Sequence, residues 1–310
     1  MSGFAIDIGT TNIVLREYAL DTGAILREIS EPNAQRVFGL DVMTRLSAAL
    51  SGHSTDLKSL LCDQLRRMLG GLPKRSVAVG NTVMLSLLTG TDVTPLSRSP
   101  FRAKELFGRI FDLDGIPIYL PRCARAFLGA DLTAAIGASG ILDSSRPSLL
   151  VDIGTNGEIA LNTPRGLFLT SVAAGPAFDR PGLSPSEVIS VYDQLPPADR
   201  ADITLAKAAI AAALSIVLEK AQLKAEAVDL ILTGAFGGAL DLEKAASIGL
   251  IPRPALPNCR VAENLALEGA GKMLLDDAFR LRAEAAIASA TFIPLAGTEI
   301  FQTRYLENMI

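Results

Sequence analysis

The tetrapeptide Asp-Ile-Gly-Thr occurs twice in this chain of 310 residues, at 7–10 and again at 152–155. Each copy follows a short apolar run, Phe4-Ala5-Ile6 before the first and Leu149-Leu150-Val151 before the second, and small polar residues come after both. A short motif can repeat by chance. A repeat that keeps its setting of strand and polar turn at two distant places predicts a duplicated fold, with two loops that hold one anionic ligand.

The order of predicted elements also repeats between the two halves of the chain. Hydrophobic patterning predicts strands at 4–9, 12–20, 23–30, 76–79 and 116–120, and again at 148–153, 157–162, 166–173 and 228–232. Helices are predicted between and after these strands, including long ones at about 202–222 and 261–285. We therefore predict an α/β protein with a duplicated βββαβαβα plan. Its lobes are expected at 1–147, with an irregular insertion at about 91–126, and at 148–310.

Composition excludes several classes of function. A hydrophobic content of 49% and a charged content of 20% are typical of a folded protein with a sizeable core. The net charge of −4 gives no basic footprint for nucleic acid. The longest apolar run, 208–218, is short for a membrane span, and Asp7 falls where a signal peptide would be apolar. We expect a cytoplasmic protein that binds neither nucleic acid nor membrane.

The metal-binding residue types are few and scattered. Cys62, Cys123 and Cys259 lie far apart in the sequence, and His53 is the one histidine. No pair has the spacing of an iron–sulfur or zinc site. We therefore expect no iron–sulfur cluster on this chain.

Both copies of the tetrapeptide begin a loop that suits a phosphate group. These loops contain Gly9, Thr10, Thr11 and Asn12 in the first copy and Gly154, Thr155, Asn156 and Gly157 in the second. Glycine allows backbone N–H groups to approach a phosphate, and the neighbouring hydroxyls add donors. A carboxylate beside phosphates is repelled unless a divalent cation lies between them, so Asp7 and Asp152 are candidate Mg²⁺ ligands through water. The alternative is that each Asp caps a tight turn.

Three further places are candidate sites. Gly234, Gly237 and Gly238 follow a buried strand and leave room for the base, ribose or α-phosphate of a nucleotide. Ala174 and Gly175 follow another strand, where small residues allow either ligand approach or tight packing. Asp131 opens an alanine-rich helix, as an N-cap or as a general base near a γ-phosphate. The motifs of P-loop NTPases, Rossmann dehydrogenases, common α/β-hydrolases and zincins are absent from the sequence.

Together these features resemble the superfamily of acetate and sugar kinases, heat-shock chaperone ATPases and actin (ASKHA), which has an actin-like, ribonuclease-H-like fold. Within it, the chain is similar to the ATP-dependent reductive activators of corrinoid proteins, the RACo and RamA-like branch. The stretches that carry this resemblance are Phe4–Thr11, Asn33–Arg36, Phe38–Val42, Val79–Thr82, Gly129–Asp131, Val151–Glu158, Ala173–Phe178 and Leu232–Gly238.

The resemblance implies ATP and Mg²⁺ as cofactors, a nucleotide cleft between the lobes and an ATPase that returns a corrinoid methyltransferase protein from Co(II) to Co(I). It implies phosphate and Mg²⁺ roles for Asp7, Gly9, Thr10, Thr11, Asp152, Gly154, Thr155 and Asn156, and nucleotide contacts for Gly234, Gly237 and Gly238. Glu158 and Asp131 are candidates for activating the attacking water. Fuller members of the family carry an iron–sulfur segment with clustered cysteines, so a separate electron donor is expected here.

Two other functions stay open on the sequence. One is a small-molecule kinase of the same fold with Asp131 as its base. The other is a nucleotide-dependent interaction or filament protein without substrate chemistry. The corrinoid partner, the electron donor and the oligomeric state, a homodimer included, are open as well.

Overall fold

The computed structural model describes residues 1–154, 156–175, 177–178, 180, 182–234 and 240–309. Contacts between residues divide the chain into two compact units. The first unit contains Met1–Ala138 and Ala266–Ala288, and the second contains Ser139–Leu265 and Ser289–Ile310. The predicted lobes at 1–147 and 148–310 and the cleft between them stay predictions. The segment Ala266–Ala288 groups with the first unit, although it lies late in the sequence.

The first unit is built on a six-stranded mixed sheet. Its strands are β1 (Ser2–Ile8), β2 (Asn12–Ala19), β3 (Ile25–Pro32), β4 (Arg75–Gly80), β5 (Arg109–Leu113) and β6 (Ile116–Leu120). They lie in the order β3-β2-β1-β4-β6-β5, with β1 antiparallel to β2 and parallel to β4. Strand β4 is almost wholly buried, as its short apolar run predicts for a central strand, whereas β3 at the edge is polar and mostly exposed.

The second unit repeats this sheet. Its strands are β7 (Ser148–Ile153), β8 (Asn156–Thr163), β9 (Gly166–Ala173), β10 (Asp229–Gly234), β11 (Cys259–Val261) and β12 (Thr291–Phe292). The order is β11-β10-β7-β8-β9-β12, so β7 takes the place of β1, and β10 takes the place of β4. The predicted repeat of three strands, helices and a fourth strand is therefore confirmed. The edges differ, because β5 has no counterpart beside β11 among the described strands, and β12 pairs with β9.

The described helices surround these sheets. They are α1 (Val42–Ala48), α2 (Ser54–Leu69), α3 (Thr82–Thr89), α4 (Ala130–Ser139), α5 (Pro185–Ser190), α6 (Pro197–Ala221), α7 (Leu242–Ser247), α8 (Leu265–Leu275), α9 (Asp277–Ser289) and α10 (Glu299–Glu307). Both α2 and α3 end at a glycine in the left-handed conformation, Gly70 and Gly90, as expected where a helix stops. The single helix predicted at 261–285 is wrong. Asp276 accepts hydrogen bonds from the N–H groups of Ala278 and Phe279 and so starts a new helix there.

The region 91–126 is more regular than predicted. It contains the hairpin of β5 and β6, whose turn is Asp114-Gly115 with positive φ at both residues. That conformation belongs to a type I′ turn, which fits the twist of a two-strand hairpin and favours Asp-Gly. Strand β6 was predicted and β5 was not.

Helix α6 packs in the core of the second unit. Among the described residues it alone is long and apolar enough to cross a membrane by length and composition. Most of its apolar surface is buried, and Ile203, Ile210 and Val217 pack in the hydrophobic core of the unit. A core helix of this length accounts for the same apolar composition.

Candidate functional site

The first Asp-Ile-Gly-Thr copy connects β1 to β2. Asp7 lies opposite Val14 on β2 and opposite Val79 on β4. The turn that follows is tight, because a Cβ at Gly9 would lie 2.7 Å from the carbonyl oxygen of Asn12. Glycine is therefore required in this loop by the close approach of its own backbone.

The carbonyl groups of this first loop accept hydrogen bonds from residues elsewhere in the first unit. The side-chain amide of Asn33 donates to the carbonyl of Gly9 at 2.8 Å, and its backbone N–H donates to the carbonyl of Thr11 at 2.9 Å. Arg45 donates through Nη2 to the carbonyl of Thr10. Three successive carbonyls are thus hydrogen-bonded to residues outside the loop.

Arg45 is the least expected member of this group. Its side chain is completely buried, and its Nε donates to the carbonyl of Gly39 at 3.0 Å. Burial lowers the pKa of the guanidinium to about 10, so Arg45 is still charged at neutral pH. We assigned no role to Asn33 or Arg45 from the sequence. The sequence does contain one signal for Arg45, which lies on the same apolar helix face as Val42 and Leu46. A charged residue on such a face is predicted to be buried, and a buried charge needs hydrogen-bond partners.

The second copy connects β7 to β8 and has different neighbours. Asp152 lies directly opposite Glu158 on β8 and opposite Thr233 on β10, while Glu158 lies opposite Ser171 on β9. Residues in register on adjacent strands share a face of the sheet, so four polar side chains form a row across it. Glu158 and Thr233 are buried. The structure therefore brings together two of the predicted acidic residues, Asp152 and Glu158.

The second loop also differs in how it closes. The N–H of Gly154 donates to the carbonyl of Asn156 at 2.9 Å, within the loop itself. Gly157 is in β8, where a Cβ would lie 3.1 Å from side-chain atoms of Ile210 and Val172. Close packing against the core is therefore enough to require glycine at this position, with or without a ligand contact. Thr155 lies outside the described residues.

Gly234 ends β10 directly beside Asp152. Its φ is +98°, and a Cβ there would overlap the Oδ1 of Asp152 and lie 2.5 Å from the carbonyl oxygen of Ile153. The predicted glycine therefore makes room for the carboxylate of the second copy. Ala174 is buried, and Gly175 has positive φ with open space where a Cβ would project. The predicted contacts Gly237 and Gly238 lie outside the described residues.

Asp131 lies in the first turn of α4, at the same edge of the sheet as the first loop. A Cβ at Gly129 would lie 2.6 Å from both the Oδ1 of Asp131 and the Cα of Asn81, which follows β4. Strands β1 and β4 are parallel, so their carboxyl ends share that edge. Asp131 accepts a hydrogen bond from the N–H of Leu132 at 2.8 Å, and burial raises the pKa of its carboxyl group to about 6.

Metal and redox chemistry can be judged within the described part of the chain. No group of three or more His, Cys, Asp or Glu residues there is placed to hold a metal ion by itself. One or two carboxylates fit Mg²⁺, which keeps several waters and binds substrate phosphates. Burial raises the pKa of the Cys62 thiol and raises that of Cys259 to about 11, so both are protonated at neutral pH. The roles of the predicted site residues stay predictions.

Comparison with protein families gives two matches that together span nearly the whole chain. The family model described as the RACo middle region matches residues 2–144. The model described as the C-terminal domain of RACo, the ASKHA domain, matches residues 146–184 and 194–310.

Two curated proteins are similar in sequence. The corrinoid activation enzyme RamQ of Eubacterium limosum is 30% identical over 203 residues, which are 59% of this chain and 34% of the relative. The [Co(II) methylated amine-specific corrinoid protein] reductase of Methanosarcina barkeri is 27% identical over 208 residues, 59% of this chain and 38% of the relative. The match therefore spans little more than a third of the length of these relatives.

One solved structure has the same fold over the full length of the chain. It is described as a reductive activator for corrinoid, iron–sulfur protein, and it superposes with a TM-score of 0.90 at 22% sequence identity. The match covers 100% of this chain and 66% of that one.

Proposed function

Because this chain belongs to the RACo family, with both its middle region and its C-terminal ASKHA domain, we propose that it is an ATPase that reactivates a corrinoid protein. In this proposal, ATP and water become ADP and phosphate while one electron reduces Co(II) to Co(I) in the partner. The observation that carries it is the pair Asp152 and Glu158, directly opposite each other beside a phosphate-type loop.

We assign different roles to the two loops. In the first unit, the loop at Gly9–Thr11 offers backbone N–H groups and hydroxyls to phosphate oxygens. In the second unit, the carboxylates of Asp152 and Glu158 suit the Mg²⁺ that accompanies ATP, through water. Either Glu158 or Asp131 positions the attacking water, and Asp7 is the second candidate Mg²⁺ ligand.

Two carboxylates in register also suit a divalent cation. Like charges directly opposite on neighbouring strands repel each other, and a bound divalent cation removes the repulsion. An ATP-bound form and an ADP-bound form can then differ in affinity for the two oxidation states of the partner. That difference is what allows hydrolysis to shift an unfavourable reduction, at about 1.4 kcal/mol for each factor of ten.

The electron comes from a donor outside residues 1–310 in this proposal. The chain has three cysteines, and two of them have thiol pKa values raised by burial. The partner is a corrinoid protein in this proposal. One curated relative is named a corrinoid activation enzyme, and the other is named a corrinoid protein reductase. We place the reaction in the cytoplasm.

The test combines the purified chain with Mg-ATP, titanium(III) citrate as reductant and a corrinoid protein in the Co(II) state. Co(I) formation, followed by absorbance, is expected to require ATP. Asp152→Asn is expected to weaken both ATP hydrolysis and Co(I) formation. Glu17→Gln, at the half-buried glutamate that pairs with Arg27 on the sheet of the first unit, is expected to keep both. Co(I) formation no greater than in the ATP-free control would rule the proposal out.

A small-molecule kinase remains the second candidate, because Asp131 is a carboxyl with a raised pKa at the start of a helix. A kinase would convert ATP to ADP only when a metabolite accepts the phosphoryl group. Screening metabolites for a phosphorylated product therefore separates the two functions. Hydrolysis without any acceptor favours the ATPase.

A further inference from the structure

We propose that Asn33 and Arg45 are positioning residues that orient the backbone N–H groups of the first loop toward the phosphates of the nucleotide. The inference rests on the proposed function, since the ligand is the nucleotide of the same site. Neither residue touches the ligand in this proposal. Both act through the peptide groups of the loop.

The geometry of the peptide bond carries the inference. In a planar trans peptide, the C=O of one residue and the N–H of the next point in opposite directions. Because the carbonyl of Gly9 accepts from Asn33, the N–H of Thr10 points away from Asn33. Because the carbonyl of Thr10 accepts from Arg45, the N–H of Thr11 points away from Arg45. Successive N–H groups on one side of a turn form a concave anion-binding surface.

Arg45 is itself held in place by contacts outside the loop. It is completely buried and also donates to the carbonyl of Gly39 at 3.0 Å. The helix that carries it begins with a capping box, in which Asp41 accepts from the N–H of Thr44 at 2.8 Å, and Thr44 accepts from the N–H of Asp41 at 3.3 Å. A long cationic side chain that is anchored in this way holds one carbonyl with little freedom.

Asn33 is fixed just as firmly. Its side-chain oxygen accepts from the N–H of Gln35 at 2.9 Å, while its side-chain nitrogen donates to the loop. Gln64 supports the same segment from outside, because it accepts from the N–H of Ala34 at 2.7 Å and donates to the carbonyl of Pro32 at 2.9 Å. The described hydrogen bonds of Gln64 all lie outside the first loop, so Gln64 is a matched control.

The experiment compares Mg-ATP with adenosine as probes, using the full chain and isothermal titration. In Asn33→Asp, a residue of the same size can no longer donate to Gly9. In Arg45→Gln, the donor to Thr10 is lost. Each variant is expected to bind Mg-ATP about 10- to 100-fold more weakly, the range for losing well-oriented hydrogen bonds to a charged group. Adenosine affinity is expected to stay unchanged, because adenosine has no phosphate.

Two further variants separate positioning from stability. Gln64→Met is expected to lower the unfolding temperature without a selective loss of Mg-ATP affinity. Arg45→Lys keeps a charged donor and is expected to recover part of the affinity that Arg45→Gln loses. If Arg45→Gln does not fold, Asn33→Asp and Arg45→Lys carry the test, with hydrogen exchange at the amides of Thr10 and Thr11. Mg-ATP is expected to slow that exchange in the wild type and to do so less in the variants.

The possible failures differ from one another. Equal losses for Mg-ATP and adenosine, or no loss in folded variants, would overturn the positioning role and leave the proposed function intact. A wild-type chain that binds no Mg-ATP would overturn the proposed function, and the positioning role with it.

Discussion

The two Asp-Ile-Gly-Thr loops share a backbone plan and differ in what surrounds them. In the first unit, Asp7 faces Val14, and Asn33 and Arg45 bind the carbonyls of the loop. In the second unit, Asp152 faces Glu158, and the loop closes by a hydrogen bond within itself. The repeat thus preserved strand order while the side chains diverged. In our proposals, the first copy presents hydrogen-bond donors to the nucleotide and the second presents carboxylates.

The second copy alone has a second acidic residue in register with its aspartate. Val14 beside Asp7 adds no charge, whereas Asp152 and Glu158 place two carboxylates in direct register. Such pairs destabilise a sheet in the absence of a cation, and sites that lower stability in this way are often functional. Substitutions at these positions test whether the two loops have different roles.

The largest effect is expected from removing the carboxylate of Glu158, which lies opposite Asp152 and has no counterpart opposite Asp7. Glu158→Gln keeps the size of the side chain and removes the charge, so ATP hydrolysis is expected to slow by roughly 100-fold or more, the range for a lost general base. Steady-state phosphate release measures this. Glu17→Gln, on a strand of the first unit, is the control and should hydrolyse ATP normally. A normal rate in Glu158→Gln would remove Glu158 from the reaction and leave Asp131 as the candidate.

Next in size is the difference between the glycines that end the matching strands β10 and β4. Gly234→Ala forces a side chain into positive φ and against Asp152, and we expect it to lower the free energy of unfolding by about 3 kcal/mol. Gly80→Ala meets the carbonyl oxygen of Ile8 at 2.8 Å, without positive φ, and should cost about 1 to 2 kcal/mol. Urea unfolding compares them. Equal losses of unfolding free energy in the two variants would contradict a specific requirement for glycine beside Asp152.

A smaller effect is expected at Asp131, a partly buried carboxyl of the first unit. Burial raises its folded pKa from 3.8 to about 6, so its stability contribution is complete below pH 3.8 and is lost as the pH rises through 6. The full shift corresponds to about 3 kcal/mol. Because the side chain is partly exposed to solvent, we expect Asp131→Asn to raise the free energy of unfolding by about 2 kcal/mol at pH 7.5 and to change it little at pH 3.5. Urea unfolding at both pH values measures this. A gain that is equal at both would disprove the role of ionisation.

The smallest effect is expected from making the first copy resemble the second. Val14→Glu places a carboxylate opposite Asp7 and should lower the free energy of unfolding by about 1 kcal/mol at low ionic strength. Val14→Gln introduces an uncharged polar side chain of the same size as glutamate. The difference between the two variants therefore gives the electrostatic part of the change in the free energy of unfolding. Mg²⁺ should restore stability to Val14→Glu more than to Val14→Gln. The absence of any difference between the two variants would mean that the carboxylates do not interact.

Most of the strands and their order could be predicted from the sequence. Strands β6, β7 and β9 have the predicted bounds, and the repeat of strand order is confirmed. The ASKHA fold and the RACo family are confirmed as well, by the family models and the superposition. These features depend on local patterning and short motifs, which a single sequence contains in full.

What the sequence missed depends on contacts between distant residues. Arg45 lies 35 positions from Thr10, and no local pattern links them. Strand β5 was missed because its turn, Asp114-Gly115, was not read as a hairpin signal. The break between α8 and α9 depends on a side chain, Asp276, that caps the second helix against the helical period around it.

The late segment Ala266–Ala288 has a consequence for how the chain is made. Leu267, Met273 and Leu274 are buried in the core of the first unit, yet they leave the ribosome after nearly the whole second unit. Gly269 packs so closely on Ala134 that a Cβ would lie 2.8 Å from its Cα. The first unit therefore cannot complete its core during early synthesis, although domains otherwise tend to fold from the N-terminus. A fragment that stops near residue 138 would carry an exposed apolar face where these helices belong.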